Sequence, residues 1–254
     1  MRTEVEAPLR EPSYVSGVTV SGVRKAFGDV TALDGVDLRI AAGELVAVVG
    51  PSGCGKSTLL EIVCGLQAAD AGAVAGADAT LMPQRDALLP WLSAQDNAAL
   101  PLRIAGAERD EARARVRPYF GRFGLDGFED ARPGALSGGM RQRVAFLRTL
   151  MAGKPVLCLD EPFGALDALT RVQLQGWLAE ALAREPRTVL LVTHDVEEAA
   201  VLADRIVILS PRPGRVVATL EVPVPRPRRR TDAAVVETVG AALSALGLQA
   251  EVRA

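Results

Sequence analysis

The chain has 254 residues, a formal net charge of −2 and a sequence isoelectric point near 5.6, which gives no long-range attraction for nucleic acid and argues against it as a partner. Hydrophobic residues make up 49%, yet no run approaches the roughly 18–20 apolar residues that a membrane helix requires. The acids of Met1–Glu6 replace the apolar stretch of a secretory leader, so an intracellular chain is expected, and Cys54, Cys64 and Cys158, odd in number and unclustered, fit reduced thiols.

Residues 1–13 hold two prolines and no apolar periodicity and are expected to be poorly ordered, with structure starting near Tyr14. Val15–Arg24 and Val36–Ile40 read as strands of an antiparallel sheet. Leu45–Val49 is a continuous apolar run, as in a strand covered on both faces. A Gly-rich loop follows, and then a helix from Ser57 to about Leu66 with Leu59, Leu60, Ile62 and Val63 on its core face. The small-residue stretch Ala68–Ala79 leads into a short strand at Thr80–Met82.

From residue 86 the character changes. Leu88-Leu89-Pro90-Trp91, Ala94–Leu102 and a charged stretch Glu108–Phe123, with Val116, Tyr119, Phe120 and Phe123 as candidate buried positions, predict a small helical subdomain. Ser137 is placed to cap a helix over Gly138–Met151. Strands at 156–160, 188–193 and 205–210 then alternate with helices near 168–184 and 195–202, the order that builds a parallel sheet, and Val216–Glu221 reads as the last strand. Pro223, Pro225 and Pro227 with Arg226, Arg228, Arg229 and Arg230 read as a linker, and 232–247 as an amphipathic helix.

Gly50-Pro51-Ser52-Gly53-Cys54-Gly55-Lys56-Ser57-Thr58 matches the phosphate-binding pattern G-x-x-x-x-G-K-[ST], placed after a predicted strand and before a predicted helix. Its glycines let backbone N–H groups face phosphate oxygens, Lys56 reaches the β- and γ-phosphates, and the Ser57 hydroxyl is offered to Mg2+. Of 29 basic residues only Lys25, Lys56 and Lys154 are lysine, so a lysine kept in this loop suggests a place for a compact ammonium. Asp160 and Glu161 end an apolar strand and point apart, so they should do different jobs. His194, the single histidine, follows another strand, and Ser137, Gly138 and Gly139 at a helix start offer a second anion site.

The phosphate loop, Leu136-Ser137-Gly138-Gly139-Met140 and Val156–Glu161, in this order, resemble the ATP-binding cassette family, the nucleotide-hydrolysing subunits of membrane transporters. The resemblance implies an α/β fold, a P-loop NTPase (RecA-like) core with an antiparallel β subdomain and an inserted helical subdomain. The cassette would span 14–230, with core segments 14–85 and 155–221, a helical subdomain at 86–154, and a C-terminal helix and tail at 231–254. It implies ATP and Mg2+ as cofactors: Asp160 and Gln84 join Ser57 at the metal, Glu161 is the general base, and His194 and Gln84 attend the γ-phosphate. Phe27 takes the place of the aromatic that stacks on adenine, and Asp167, in Pro162–Asp167, that of the loop acid that crosses the dimer interface.

Since one ATP cannot reach both anion sites of a single chain if they lie far apart, the resemblance implies two copies, or a paired cassette, closing head to tail around two ATP. Transmembrane permease subunits, an extracytoplasmic solute-binding protein and a place on the cytoplasmic face of the membrane follow from it. Asp86–Trp91 resembles the importer subgroup serving nitrate, sulfonates, taurine and thiamine-precursor pyrimidines. A soluble cassette ATPase such as an iron–sulfur assembly partner stands as the alternative. A small-molecule kinase gives no reason for Leu136–Met140, and a chromosome ATPase would carry long coiled coils.

Overall fold

The computed structural model describes residues 16–247 apart from 77, 165 and 185; the expectations for 1–15 and 248–254 lie outside this range. Two sheets make up the strand framework. β1 (Val18–Phe27), β2 (Val30–Ile40) and β4 (Ala71–Gly76) form an antiparallel sheet in the order β2-β1-β4. The larger sheet runs β5-β6-β7-β3-β8-β9, from β5 (Ala79–Met82), β6 (Val156–Asp160), β7 (Thr188–Val192), β3 (Leu45–Val49), β8 (Arg205–Leu209) and β9 (Val216–Glu221). It is parallel throughout except for β9, which returns antiparallel beside β8.

Every residue of β3, β6 and β7 is buried, and the alternation of a strand sorts them into two cores. Leu45, Ala47, Val49, Leu157, Leu159, Val189 and Leu191 face one helical layer, while Val46, Val48, Val156, Cys158, Leu190 and Val192 face α1 (Lys56–Val63) and the antiparallel sheet. That two-sided burial is why these strands read as unbroken apolar runs.

α2 (Ala94–Ile104), α3 (Arg109–Arg122) and α4 (Gly138–Met151) pack together beside β5. Val116, Phe120 and Phe123 are buried as expected, and Tyr119 is half-buried. Aromatic rings tie this group to the sheet: Phe123 and Phe146 meet Trp177 of α5 (Ala168–Arg184) at centroid separations of 4.6 and 6.2 Å, and Phe146 meets Phe163 at 6.0 Å. α6 (Val196–Leu202) and α7 (Ala233–Ala245) complete the chain. Among the described residues no helix is long and apolar enough to cross a membrane. Cys54, Cys64 and Cys158 are free thiols.

Two sequence expectations need correcting. The small-residue stretch 68–79, in which the sequence reading places no strand, holds β4, which pairs with β1. Residues 223–230 are not a free linker either. Arg228 is buried and donates to the carbonyls of Val224, Ala200, Ala203 and Val222, and Arg226 bonds Leu202 O and pairs with Asp204 at 3.0 Å. The segment straps down the C-terminal end of α6, whose last carbonyls lack intrahelical donors.

Candidate functional site

The carboxyl edge of the parallel sheet gathers most of the predicted chemistry. Gln84 follows β5, Asp160 and Glu161 end β6, His194 follows β7, and the Gly-rich loop leaves β3. Because β5, β6, β7 and β3 are successive neighbours, the four strand ends lie side by side, where open α/β sheets take their ligands.

The loop's shape depends on its glycines. Gly53 and Gly55 have φ of +74° and +103°, and a Cβ on Gly55 would lie 2.8 Å from Ala32 O and 2.6 Å from Leu33 Cδ2. Gly55 caps α1, whose first turn contains no acid, so the helix offers unneutralised N–H groups. The largely buried Lys56 donates from Nζ to Gly50 O at 2.7 Å and Pro51 O at 3.0 Å, which holds its ammonium inside the loop.

Asp160 is buried, and burial pushes its pKa above the ordinary value while a hydrogen bond with the Ser57 hydroxyl pulls it back. Two of the three residues expected at Mg2+, Ser57 and Asp160, are therefore adjacent, while the third, Gln84, is bonded to Glu161. A buried carboxylate and a hydroxyl suit a hard cation, and Mg2+ is commonly held by few protein oxygens with water and phosphate completing its shell.

Glu161 occupies a left-handed backbone conformation, φ +47°, with its N–H bonded to Val192 O at 2.9 Å. Such a conformation is costly for a non-glycine residue and recurs at functional sites. Gln84 Nε2 donates to Glu161 Oε2 at 2.9 Å, and His194 Nδ1 lies 3.1 Å from Oε1. Gln84 and His194, both expected at the γ-phosphate, thus converge on the carboxylate expected to be the general base.

Phe27, at the end of β1, is 47% exposed and presents its ring with Lys25 Nζ 5.6 Å from the centroid. Asp167 is exposed ahead of α5, accepting from Thr170 N at 3.0 Å, and the Thr170 hydrogen bonds hold its carboxyl below the usual range. Ser137 caps α4 by accepting from Met140 N at 3.2 Å, and Ser137 and Gly138 are exposed with Gly139 half-buried. This turn sits on the α2–α4 group, not on the sheet edge that carries the Gly-rich loop.

Comparison with known proteins identifies the family. The family model described as ABC transporter matches residues 33–164. The chain belongs to the ABC transporter family. This cassette is 46% identical to the aliphatic sulfonates import ATP-binding protein SsuB 1 of Mesorhizobium japonicum, across 97% of this chain and 96% of that protein. It is also 46% identical to the taurine import ATP-binding protein TauB of Burkholderia pseudomallei, across 75% and 77% of the two chains. Among solved structures it resembles the dimeric bacterial ABC transporter cassette MJ0796, with a TM-score of 0.73 and 30% identity over 80% of this chain and 98% of that one. A post-hydrolysis state of MJ0796 bound to ADP and Pi is equally similar. The fold is that of a P-loop NTPase and the cassette is an ATPase.

Sequence reasoning missed several contacts near this site. Asp86, two residues past Gln84, pairs with Arg141 of α4 at 2.9 Å, and Arg148 donates to the carbonyls of Asp86 and Ala87, both at 2.9 Å. Arg212, between β8 and β9, lies against Gly53, and Glu198 of α6 is buried beside Thr193 and Gln175. These contacts join residues distant in sequence and match no local pattern.

Proposed function

We propose that this cassette drives import of a sulfonate-class solute, an alkanesulfonate or taurine, with two copies closing head to tail around two ATP and pulling on permease subunits at the cytoplasmic face of the membrane. A solute-binding protein outside the membrane would deliver the cargo. The substrate class rests on the similarity to the SsuB and TauB proteins. The observation that carries the shared site is the exposed, self-capped turn Ser137–Gly139, a helix N-terminus aimed at solvent in a chain whose phosphate loop lies on another element. We divide the cassette into a core, 14–85 and 155–221, and a helical part, 86–154, that carries this turn.

Adenine would stack on Phe27, and the phosphates would take the N–H groups of Gly50–Thr58 with Lys56 on the β- and γ-oxygens. Ser57 and Asp160, with Gln84 near the γ-phosphate, would hold Mg2+, which when bound neutralises phosphate charge. Glu161 accepts the proton of the attacking water while His194 and Gln84 fix the carboxylate and the water's approach. The partner's Ser137–Gly139 turn and Asp167 loop close the site, so ATP acts as an adhesive between subunits and its hydrolysis loosens them.

Glu161→Gln keeps the side chain's shape and removes the base. Turnover should fall by about 10²–10⁴-fold while ATP still binds. The variant should elute as a dimer in ATP and as a monomer after ATP is withdrawn; a monomer in saturating ATP would refute the shared site. The alternative, a soluble assembly ATPase, would show itself if the chain purified with soluble scaffold proteins in place of membrane subunits.

A further inference from the structure

The turn between β8 and β9, residues 210–215, is fixed on two sides. Gly214 N donates to Ala32 O at 2.9 Å and Asp34 N donates to Gly214 O at 3.0 Å, which stitches the turn to β2. Its other side abuts the phosphate loop, where a Cβ on Gly214 would overlap Cys54 O. Ser210 closes the turn, its Oγ accepting from Arg215 N at 3.1 Å and donating to Pro213 O at 2.8 Å, and Arg215 is spent on an ion pair with Asp34.

Arg212 differs from Arg215. It is exposed, and among the described residues it has no hydrogen-bond or ion-pair partner. Its Nη2 lies 3.4 Å from where a Cβ on Gly53 would stand, so the guanidinium rests on the open flank of the phosphate loop. The turn that carries it is bonded to β2, and β2 pairs with β1 up to Phe27, opposite Val30. A nucleotide with its base on Phe27 and its phosphates on Gly50–Thr58 must run its ribose and α-phosphate across the interval between them, and the turn that carries Arg212 is bonded to β2 at Ala32 and Asp34 and meets the loop at Gly53 and Cys54. A guanidinium left unpaired on a rigid turn is suited to a phosphate oxygen, because its donors are pre-arranged and lose little freedom on binding.

We propose that Arg212 is a nucleotide-binding residue of this cassette, donating to the α-phosphate and ribose end of a nucleotide seated between Phe27 and the Gly-rich loop. The assignment rests on the ATP site set out above. A contact at that end is shared by ATP and ADP, so it raises affinity for both and leaves the hydrolytic step to Glu161.

The test is calorimetric titration of the full chain, with Mg2+, by ADP and by a non-hydrolysable ATP analogue, for the wild type, Arg212→Ala, Arg212→Lys and Lys56→Ala. Arg212→Ala should weaken both nucleotides by a similar factor of about ten, and Arg212→Lys by less. The exposed position predicts an unchanged melting temperature for Arg212→Ala without ligand. Unchanged affinities for Arg212→Ala beside a large loss for Lys56→Ala would overturn the proposal and keep the ATP site. No loss in either variant would overturn the site itself. A loss confined to the ATP analogue, or an effect only on dimer formation, would move the guanidinium to the γ-phosphate or to the partner subunit and so reject the assignment.

Discussion

Glu198 sits four residues past His194 with its side chain buried, accepting from Gln175 Nε2 at 3.1 Å, while its N–H donates to Asp195 Oδ1 at 3.0 Å. Burial pushes its pKa from 4.5 up to about 7; the Thr193 and Gln175 hydrogen bonds and the Arg171 charge oppose that rise and the Asp195 carboxylate adds to it. The folded protein therefore holds this proton through a range, pH 4.5 to 7, in which the unfolded chain has released it. Stability attached to Glu198 is full below that range and is lost as pH rises through it, by roughly 3 kcal/mol at most. Glu198→Gln removes the titration, so its melting temperature relative to wild type should be higher at pH 8 than at pH 5; a pH-independent difference would show that Glu198 is charged when folded. No motif exposes this group in the sequence, because the burial that raises its pKa is tertiary and Gln175 and Arg171 lie on α5, over twenty residues away. Lys56, Ser57, Asp160 and Ser137 can be picked out of the sequence as candidates for the opposite reason: each sits at a local turn, helix start or strand end that its neighbours encode.

Among the elements, strand burial and helix capping were readable, and close approach of backbones was not. β4 has the sequence Ala71-Gly72-Ala73-Val74-Ala75-Gly76, poor in β-branched residues and mostly exposed, so propensity gives no strand. The small residues are what pairing with β1 requires, since a Cβ on Gly72 would lie 2.5 Å from the Gly22 carbonyl. The bonds from α4 to the segment after Gln84 escaped for a similar reason: Arg148 serves two backbone carbonyls, one on Ala87, whose φ is +46°. This couples the residue beside Glu161 to the helix that begins with Ser137–Gly139. Arg148→Met keeps the aliphatic stem and deletes both donors. It should cost about 1–3 kcal/mol in urea unfolding and speed amide exchange over residues 84–92; exchange unchanged there would mean that the arginine does not fix the segment.

For the whole molecule, the C-terminal segment closes the structure around the helix that follows His194. Arg228 spans the carbonyls of Ala200, Ala203, Val222 and Val224, so one guanidinium joins α6 to the strand end after β9. Burial lowers its pKa and the Asp204 carboxylate, 3.8 Å away, offsets this in part. α7 then covers α6, β8 and β9 with Val235, Thr238 and Ala242 buried. Pro- and Arg-rich composition reads as a solvated linker because it lacks apolar periodicity; here the order comes from arginine donors meeting carbonyls at a helix end, a pairing visible only in three dimensions. If that strap belongs to the cooperative unit, Arg228→Ala strands several buried carbonyls at once and should cost about 2–4 kcal/mol in a single unfolding transition. The contrasting variant is Arg229→Ala, at an exposed neighbour, which should stay within about 0.5 kcal/mol of wild type. Equal, small effects of the two substitutions would make the segment a passenger on the cassette; a large loss at Arg228 alone would make it the fastener that holds the His194 helix to the sheet.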